Sequence, residues 1–272
     1  MKMKKIFGLL SVLLLTSGIL TAQNLNKGLV LHSTFDKDAA DMSKNHFNGI
    51  LNGASINKES IVGKGCVYFN GKDNYVEYPR NKVYFNGDYS ISIWCKMITA
   101  SLWERILDFN QDKPQAGNSV TWLIGRSHKA GTHDMWFDQW VTYKGIPVES
   151  IPDIMQQNPA NAYLQYDIIP NQWAHYVIVY NSKSKNPNGI KKNRKGEEVP
   201  LEGIVTLYVN GEKTGTNTFC LKPQDVPTLC NWLGRSRFAP DPYYNGYMDD
   251  FRIYNRILSQ KEIRKLYSMR NK

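Results

Sequence analysis

Short alternations of apolar and polar residues run through most of this chain. Residues 205–209 read Val-Thr-Leu-Tyr-Val, and 89–96 read Tyr-Ser-Ile-Ser-Ile-Trp-Cys-Lys. This period of two belongs to strands whose two faces meet different surroundings. Similar runs occupy 28–35, 65–70, 75–78, 103–110, 119–126, 136–143, 173–181, 232–235 and 247–254. Turn residues separate them. Asn210-Gly211 follows the clearest strand and supplies the two positive φ angles of a type I′ hairpin turn. One helix is predicted, at the C-terminus. Ser259-Gln260-Lys261-Glu262 has capping-box spacing, and Ile263, Leu266 and Tyr267 form a narrow apolar stripe that docks on the strands and closes the domain. Many short strands with one short helix predict an all-β fold, a two-sheet antiparallel β-sandwich of the jelly-roll kind.

Two stretches break the rhythm. Residues 144–170 are rich in Pro, Asn and Gln, and 182–203 are rich in Lys, Asn and Gly. Neither holds enough apolar residues for a core of its own, so both are expected as loop insertions on one domain spanning 23–272. The second stretch concentrates basic residues between Lys183 and Lys195. No aromatics interleave with them, which argues against nucleic acid and for a solvated loop, with an acidic glycan as the alternative.

The N-terminus predicts export. Lys2, Lys4 and Lys5 precede an apolar run from Ile6 to Leu20 and a small-residue exit at Thr21-Ala22. That is the pattern of a signal peptide over 1–22, too short for a membrane span and with no cysteine at the exit for a lipid anchor. Without those three lysines the formal charge falls from +10 to +7. The product is expected in the periplasm or outside the cell. Export permits disulfides. Cys220 and Cys230 flank a Pro-containing step that a bridge would close, while Cys66 and Cys95 lie in strand-like runs as small buried side chains. No Cys or His spacing suggests zinc.

The closing strand carries an ionisable residue among apolar ones. Alternation puts Tyr247, Asp249, Phe251 and Ile253 on one face and Met248, Asp250, Arg252 and Tyr254 on the other. Asp249 then sits on the core side, where a bare carboxylate is costly and needs N–H donors, a cation or a metal.

In this order, the segments 28–36, 41–45, 48–54, 63–71, 89–96, 172–176, 207–211, 233–235 and 245–259 resemble the laminin G-like jelly-roll domains of the concanavalin A-like lectin/glucanase superfamily. The resemblance runs over residues 28–267 and implies two packed antiparallel sheets that bind carbohydrate or an exported protein partner. It also implies a structural calcium ion between the first strand, the following loop and the last strand. The matching oxygens are those of Asp36, Asp41, Asn45 or Asn48, and Asp249, a hard-oxygen set suited to calcium. The alternative is that Asp249 accepts backbone N–H bonds at a bulge while Asp36 and Asp41 make turns.

For a sugar, flat rings beside polar groups are the expected platform. The candidates are Trp103, Trp136, Asp138, Trp140, Tyr163, Tyr243 and Tyr244, with Trp136, Asp138 and Trp140 sharing one strand face. Glycoside hydrolases that share this resemblance pair carboxylates as Glu-x-Asp-x-(x)-Glu, and the chain has no such motif. Glu104 and Asp108 share strand parity, but an ion pair with Arg105 or Arg126 explains them as well. His128 and His133 beside Asp134 suggest a lyase-like or metal site, or simply a solvated loop. The expected function is therefore an exported, non-catalytic carbohydrate-binding module with structural calcium. The alternatives are a glycan-active hydrolase or lyase and a protein-binding adhesion module.

Overall fold

A computed structural model describes residues 24–83, 85, 87–110, 119–126, 133–140, 142–143, 146–147, 161–184, 191–192, 198–199, 203–219 and 229–271. The expected signal peptide, Cys220, His128 and most of both expected insertions lie outside them, as does the proposed Cys220–Cys230 pairing.

The strands are β1 (Leu29–Ser33), β2 (Ile50–Asn52), β3 (Ser55–Asn57), β4 (Cys66–Asn70), β5 (Tyr75–Tyr78) and β6 (Tyr89–Met97). They continue as β7 (Arg105–Asn110), β8 (Ser119–Arg126), β9 (His133–Trp140), β10 (Thr142–Tyr143), β11 (Ile146–Pro147), β12 (Asn161–Asp167) and β13 (Ala174–Asn181). The last are β14 (Lys191–Lys192), β15 (Glu198–Val199), β16 (Gly203–Val209), β17 (Glu212–Phe219), β18 (Cys230–Leu233) and β19 (Asn245–Tyr254), before the helix α1 (Gln260–Ser268).

Among the described residues two large antiparallel sheets form the sandwich. One runs β17-β16-β13-β6-β19-β4-β3, with β1 also paired to β19. The other runs β12-β9-β8-β7-β18-β5-β2. Between them lies one buried apolar cluster. Ile91, Ile93, Ile178, Leu207, Met248 and Phe251 enter it from the first sheet, and Val76, Leu107, Phe109, Trp122 and Leu233 from the second. Each such side chain contributes about 1.5–3 kcal/mol by leaving water. Cys66 and Cys95 are buried, and burial pushes the Cys66 thiol up to about 12, so it behaves as a small apolar side chain.

The helix covers the outer side of the first sheet. Its Ile263 and Leu266 pack with Leu29, Val177, Val179, Tyr254 and Leu258 in a second cluster. Ser259 and Glu262 form the expected capping box. The hairpin turn is also as expected, with Asn210 and Gly211 both at positive φ.

One expectation about elements needs correction, and three strands, β2, β3 and β17, went unpredicted. Residues 144–170 are not loop throughout, because β12 adds an edge strand to the second sheet. Its register places Ala162 opposite Phe137 and Tyr163 opposite Trp136, an alternation hidden by the polar residues around it. β2 and β3 are too short for a periodic signal. β17 is a polar edge strand, where one side of the ladder is unpaired and hydrophobic patterning is weak.

Candidate functional site

The second sheet carries one continuous cross-strand row. Ile50 lies opposite Glu77 and Glu77 opposite Trp232. Trp232 is opposite Asp108, and Asp108 is opposite Thr121. Thr121 then faces Asp138, which faces Asn161. The adjacent row is Leu51, Val76, Leu233, Leu107, Trp122, Phe137 and Ala162. Directly opposed residues share a face and neighbours along a strand do not. Val76, Leu107, Trp122 and Leu233 belong to the core, so the first row faces outward. Seven strand positions thus share the outer side of the sheet, where Asp108, Thr121 and Trp232 are buried and Glu77 is half-buried.

Hydrogen bonds hold the middle of that row. The buried Asp108 accepts from Asn110 Nδ2 at 3.0 Å and Thr121 Oγ1 at 3.2 Å through Oδ1, and from the Arg237 amide at 2.9 Å through Oδ2. Both oxygens are committed, which suits a positioning carboxylate better than an acid or base. Beside it, Trp232 meets Tyr75 edge to face, with ring centroids 6.2 Å apart. The Arg235 guanidinium fills the corner between them, 4.3 Å from the Trp232 ring and 4.7 Å from the Tyr75 ring. Gly234 makes this possible. It stands at φ +81°, and a Cβ there would meet the Phe69 ring at 2.7 Å. The chain therefore reverses after Leu233 and lays Arg235 back over its own strand.

The residues chosen from the sequence divide among several places. Trp136, Asp138 and Trp140 fall opposite Leu123, Thr121 and Ser119 in the ladder, and their side chains, like that of Tyr163, lie outside the described residues. Trp103 is 39% exposed at the turn into β7, with φ +71°. Tyr243 is half-buried. Tyr244 is a correction. It is fully buried in the core, edge-on to Phe69 at 5.5 Å, with its hydroxyl donating to the Tyr247 carbonyl. Period-two reasoning cannot place a residue in the irregular link before β19.

Glu104 and Asp108 are also corrected. A register shift between Arg105 and Leu107 breaks their shared parity. Glu104 accepts from Thr99 Oγ1 and the Ser101 amide in its own turn, and burial raises its carboxyl above the usual range. Arg105 pairs with Asp241 at 2.8 Å rather than with either of them. The outward residues that sequence reasoning missed are Tyr75, Glu77, Trp232 and Arg235. Their strands were predicted, but nothing local says which face is outside.

A further correction concerns the last strand. Pairing of β19 with β6 shifts between Asp249 and Arg252, and Asp250 takes φ +45°, marking a bulge. Met248, Phe251 and Ile253 therefore enter the core, while Asp249 leaves it and is buried beneath the 61–62 backbone. Asp249 Oδ2 accepts from the Ile61 and Val62 amides at 3.0 and 2.9 Å, and Oδ1 accepts from the Asp250 amide at 2.8 Å. Burial pushes its carboxyl up to about 8 against the pull of those donors.

Asp36 Oδ1 accepts from the Lys64 and Gly65 amides of the same loop. Asp41 accepts the His32 and Ser43 amides through one oxygen, and the Ser43 hydroxyl and Phe47 amide through the other, all at 2.8 Å. Asn45 turns its Nδ2 to the Val30 carbonyl at 2.7 Å, and Asn48 Oδ1 accepts from the Asp41 amide. A calcium shell needs oxygens turned to one point. These oxygens point at N–H and O–H donors, and the arrangement as it stands does not fit the ion. Among the described residues no three His, Cys, Asp or Glu side chains gather as a metal site.

Beneath the helix lies a buried polar group. Asp250 binds Arg252 and the His32 ring, and Ser92 Oγ lies 2.9 Å from His175 Nε2. His175 stacks near Trp94 and Tyr267, centroids 5.0 and 6.3 Å away. Burial lowers its pKa to about 3. With no exposure for either Ser92 or His175, this pair tethers strands rather than attacking a substrate.

Domain 4 of AbnA, a GH43 extracellular arabinanase from Geobacillus stearothermophilus, in complex with arabinotriose, superposes with TM-score 0.59 at 18% identity over 88% of this chain and 98% of that one. The binding domain of Paraclostridial Mosquitocidal Protein 1 superposes with TM-score 0.55 at 16% identity, over 90% of this chain. The botulinum neurotoxin serotype D ligand binding domain in complex with N-acetylneuraminic acid does so with TM-score 0.55 at 13% identity, over 89%. The chain spans about half the length of each toxin domain, 52% and 51%. At these identities the likeness is one of fold. No curated protein sequence matches the chain. A family model described as the concanavalin A-like lectin/glucanases superfamily matches residues 70–264. With the two-sheet sandwich around it, that match makes the chain a member of the concanavalin A-like lectin/glucanase superfamily.

Proposed function

We propose that this chain is an exported, non-catalytic carbohydrate-binding module whose ligand lies across the outer face of the second sheet. The observation that carries the reading is the cross-strand row from Ile50 to Asn161. It lines up hydroxyl and carboxylate groups beside aromatic residues on the side of the sheet turned away from the core, with Asp108, Thr121 and Trp232 buried in its middle and Tyr75 and Glu77 half-buried at its margin. Sugars offer apolar C–H faces rimmed by hydroxyls, and such a face matches both. Structures on the same fold are held with arabinotriose and with N-acetylneuraminic acid, which supports a sugar as the ligand class. The committed oxygens of Asp108 and the separate turn around Glu104 support binding without hydrolysis. The signal-peptide pattern expected from the sequence of residues 1–22 is compatible with export, and among the described residues no helix is long and apolar enough to cross a membrane.

The test is affinity electrophoresis of the mature chain through gels containing neutral or acidic polysaccharides. Retardation is expected in at least one gel, with loss in Trp136→Ala/Trp140→Ala and in Tyr75→Ala while the thermal midpoint is kept. Retardation indifferent to both variants would move the ligand elsewhere. Depolymerisation of a retained polysaccharide, abolished by Asp108→Asn, would replace binding with catalysis.

A further inference from the structure

Arg235 differs from four other arginines of the chain. Arg105, Arg252, Arg256 and Arg264 each face a carboxylate at 3.0 Å or less. Arg235 faces none within ion-pair distance among the described residues, and the structure gives its guanidinium no hydrogen-bond acceptor there. The side chain is nonetheless half-buried and held in place, in the corner where the Tyr75 and Trp232 rings meet at 75°. Ring faces attract a guanidinium through their quadrupole and leave its in-plane N–H groups pointing away. A planar fork ordered in this way, with its donors unspent, is pre-organised to accept a carboxylate or sulfate through two parallel hydrogen bonds. A second donor beside it is also unanswered. The buried Trp232 indole Nε1 has no acceptor, in a ring only 8% exposed. Two donors from adjoining side chains, both without acceptors, point to a ligand that brings acceptor oxygens.

We propose that Arg235, with Trp232 Nε1 beside it, is the anion-recognition subsite of this face, so that the carbohydrate taken is acidic, carrying a carboxylate or sulfate. The proposal rests on the carbohydrate reading and names the substrate class within it. Chain geometry explains why the residue is there. Gly234 at φ +81° reverses the chain, and the fixed fork lies over Trp232 three residues back, next to Glu77 in the same row. A carboxylate at Glu77 that does not pair with Arg235 disfavours a second anion on its side of Trp232, which suits one acidic group per bound sugar rather than a densely charged chain.

The experiment compares matched probes by affinity electrophoresis and calorimetry: polygalacturonate against its methyl ester, heparin against desulfated heparin, and neutral arabinan. Wild type is expected to bind an acidic member of a pair at least tenfold more tightly than its neutral counterpart. Which pair discriminates tells carboxylate from sulfate. Arg235→Gln should lose that tenfold preference, about 1.4 kcal/mol, and keep whatever neutral binding exists. Arg235→Lys, which retains charge but not the planar fork, should recover only part of it. Equal affinity within both pairs, or acidic binding unchanged in Arg235→Gln, overturns the subsite and leaves the carbohydrate reading standing. Failure of every polysaccharide to bind overturns both. Thermal melts of both Arg235 variants confirm that any loss is local.

Discussion

Asp250 and Arg252, two residues apart on the last strand, form a buried ion pair in which Arg252 Nε lies 3.1 Å from both carboxylate oxygens and Nη2 lies 2.9 Å from Oδ1. The His32 ring completes the carboxylate at 2.8 Å. Removing one member strands the other charge away from water. Arg252→Met and Asp250→Asn are each expected to cost about 3–5 kcal/mol in urea unfolding, and the double variant less than the sum, since neither charge is then left alone. Single variants within about 1 kcal/mol of wild type would show a solvated pair instead.

Acid should weaken the fold through His175. Burial, helped by Arg252 and opposed by Asp250, lowers its pKa from 6.5 to about 3. The unfolded chain therefore binds a proton that the native one refuses, and stability is full above pH 6.5 and falls as pH drops toward 3. The slope is about 1.36 kcal/mol per pH unit. Asp249, raised by burial from 3.8 to about 8, acts the other way, favouring the native state at low pH and losing that contribution as pH rises through 8. Comparing wild type with His175→Gln between about pH 4 and 6 isolates the histidine, because the variant should lose one proton's worth of slope. Parallel curves would mean that His175 is hydrated in the native state.

Asp250 adds a third dependence at the acid extreme. Burial works to raise its carboxyl, but His32 and Arg252 bring it down to about 2. Its contribution is present above its ordinary value of 3.8 and fades as pH falls toward 2. Acid titration followed by tryptophan fluorescence should show a final loss in that window, absent in Asp250→Asn.

Chelation tests the carboxylates of the chain ends. With the oxygens of Asp41 and Asp249 turned to N–H and O–H donors, the thermal midpoint is expected to be the same in calcium and in excess EGTA. A fall of several degrees on chelation, reversed by calcium and absent in Asp249→Asn, would show that the ion displaces those donors.

The helix cap offers a smaller effect. Ser259 Oγ accepts the Glu262 amide, and Glu262 returns to the Ser259 amide at 2.8 Å while also holding Arg256. Ser259→Ala is expected to cost about 1 kcal/mol. Leu266→Ala, which opens the cluster under the helix, should cost about 2–5 kcal/mol. Helix loss without change in the global midpoint would mean that the helix docks independently.

Strand identity was written locally. Alternation in 89–96 and 205–209, the Asn210-Gly211 turn and the Ser259 capping box needed only neighbours within a few residues, and each stands as read. Parity failed at two irregularities of the ladder. Those at Asp249–Arg252 and Arg105–Leu107 reversed face assignments that a strict period of two had made. Tyr244 and β12 were missed because their surroundings, not their own patterns, decide burial and pairing.

The sequence by itself determined the fold class, the turns and the cap, because these depend on backbone preference and hydrophobic period over short spans. Tertiary structure alone decided the candidate site. Glu77, Trp232, Asp108 and Thr121 come from four separate stretches and share one row through ladder register, and Arg235 reaches Tyr75 only because Gly234 reverses the chain. Register is set by the packing of the whole sandwich, and no window of the chain contains it.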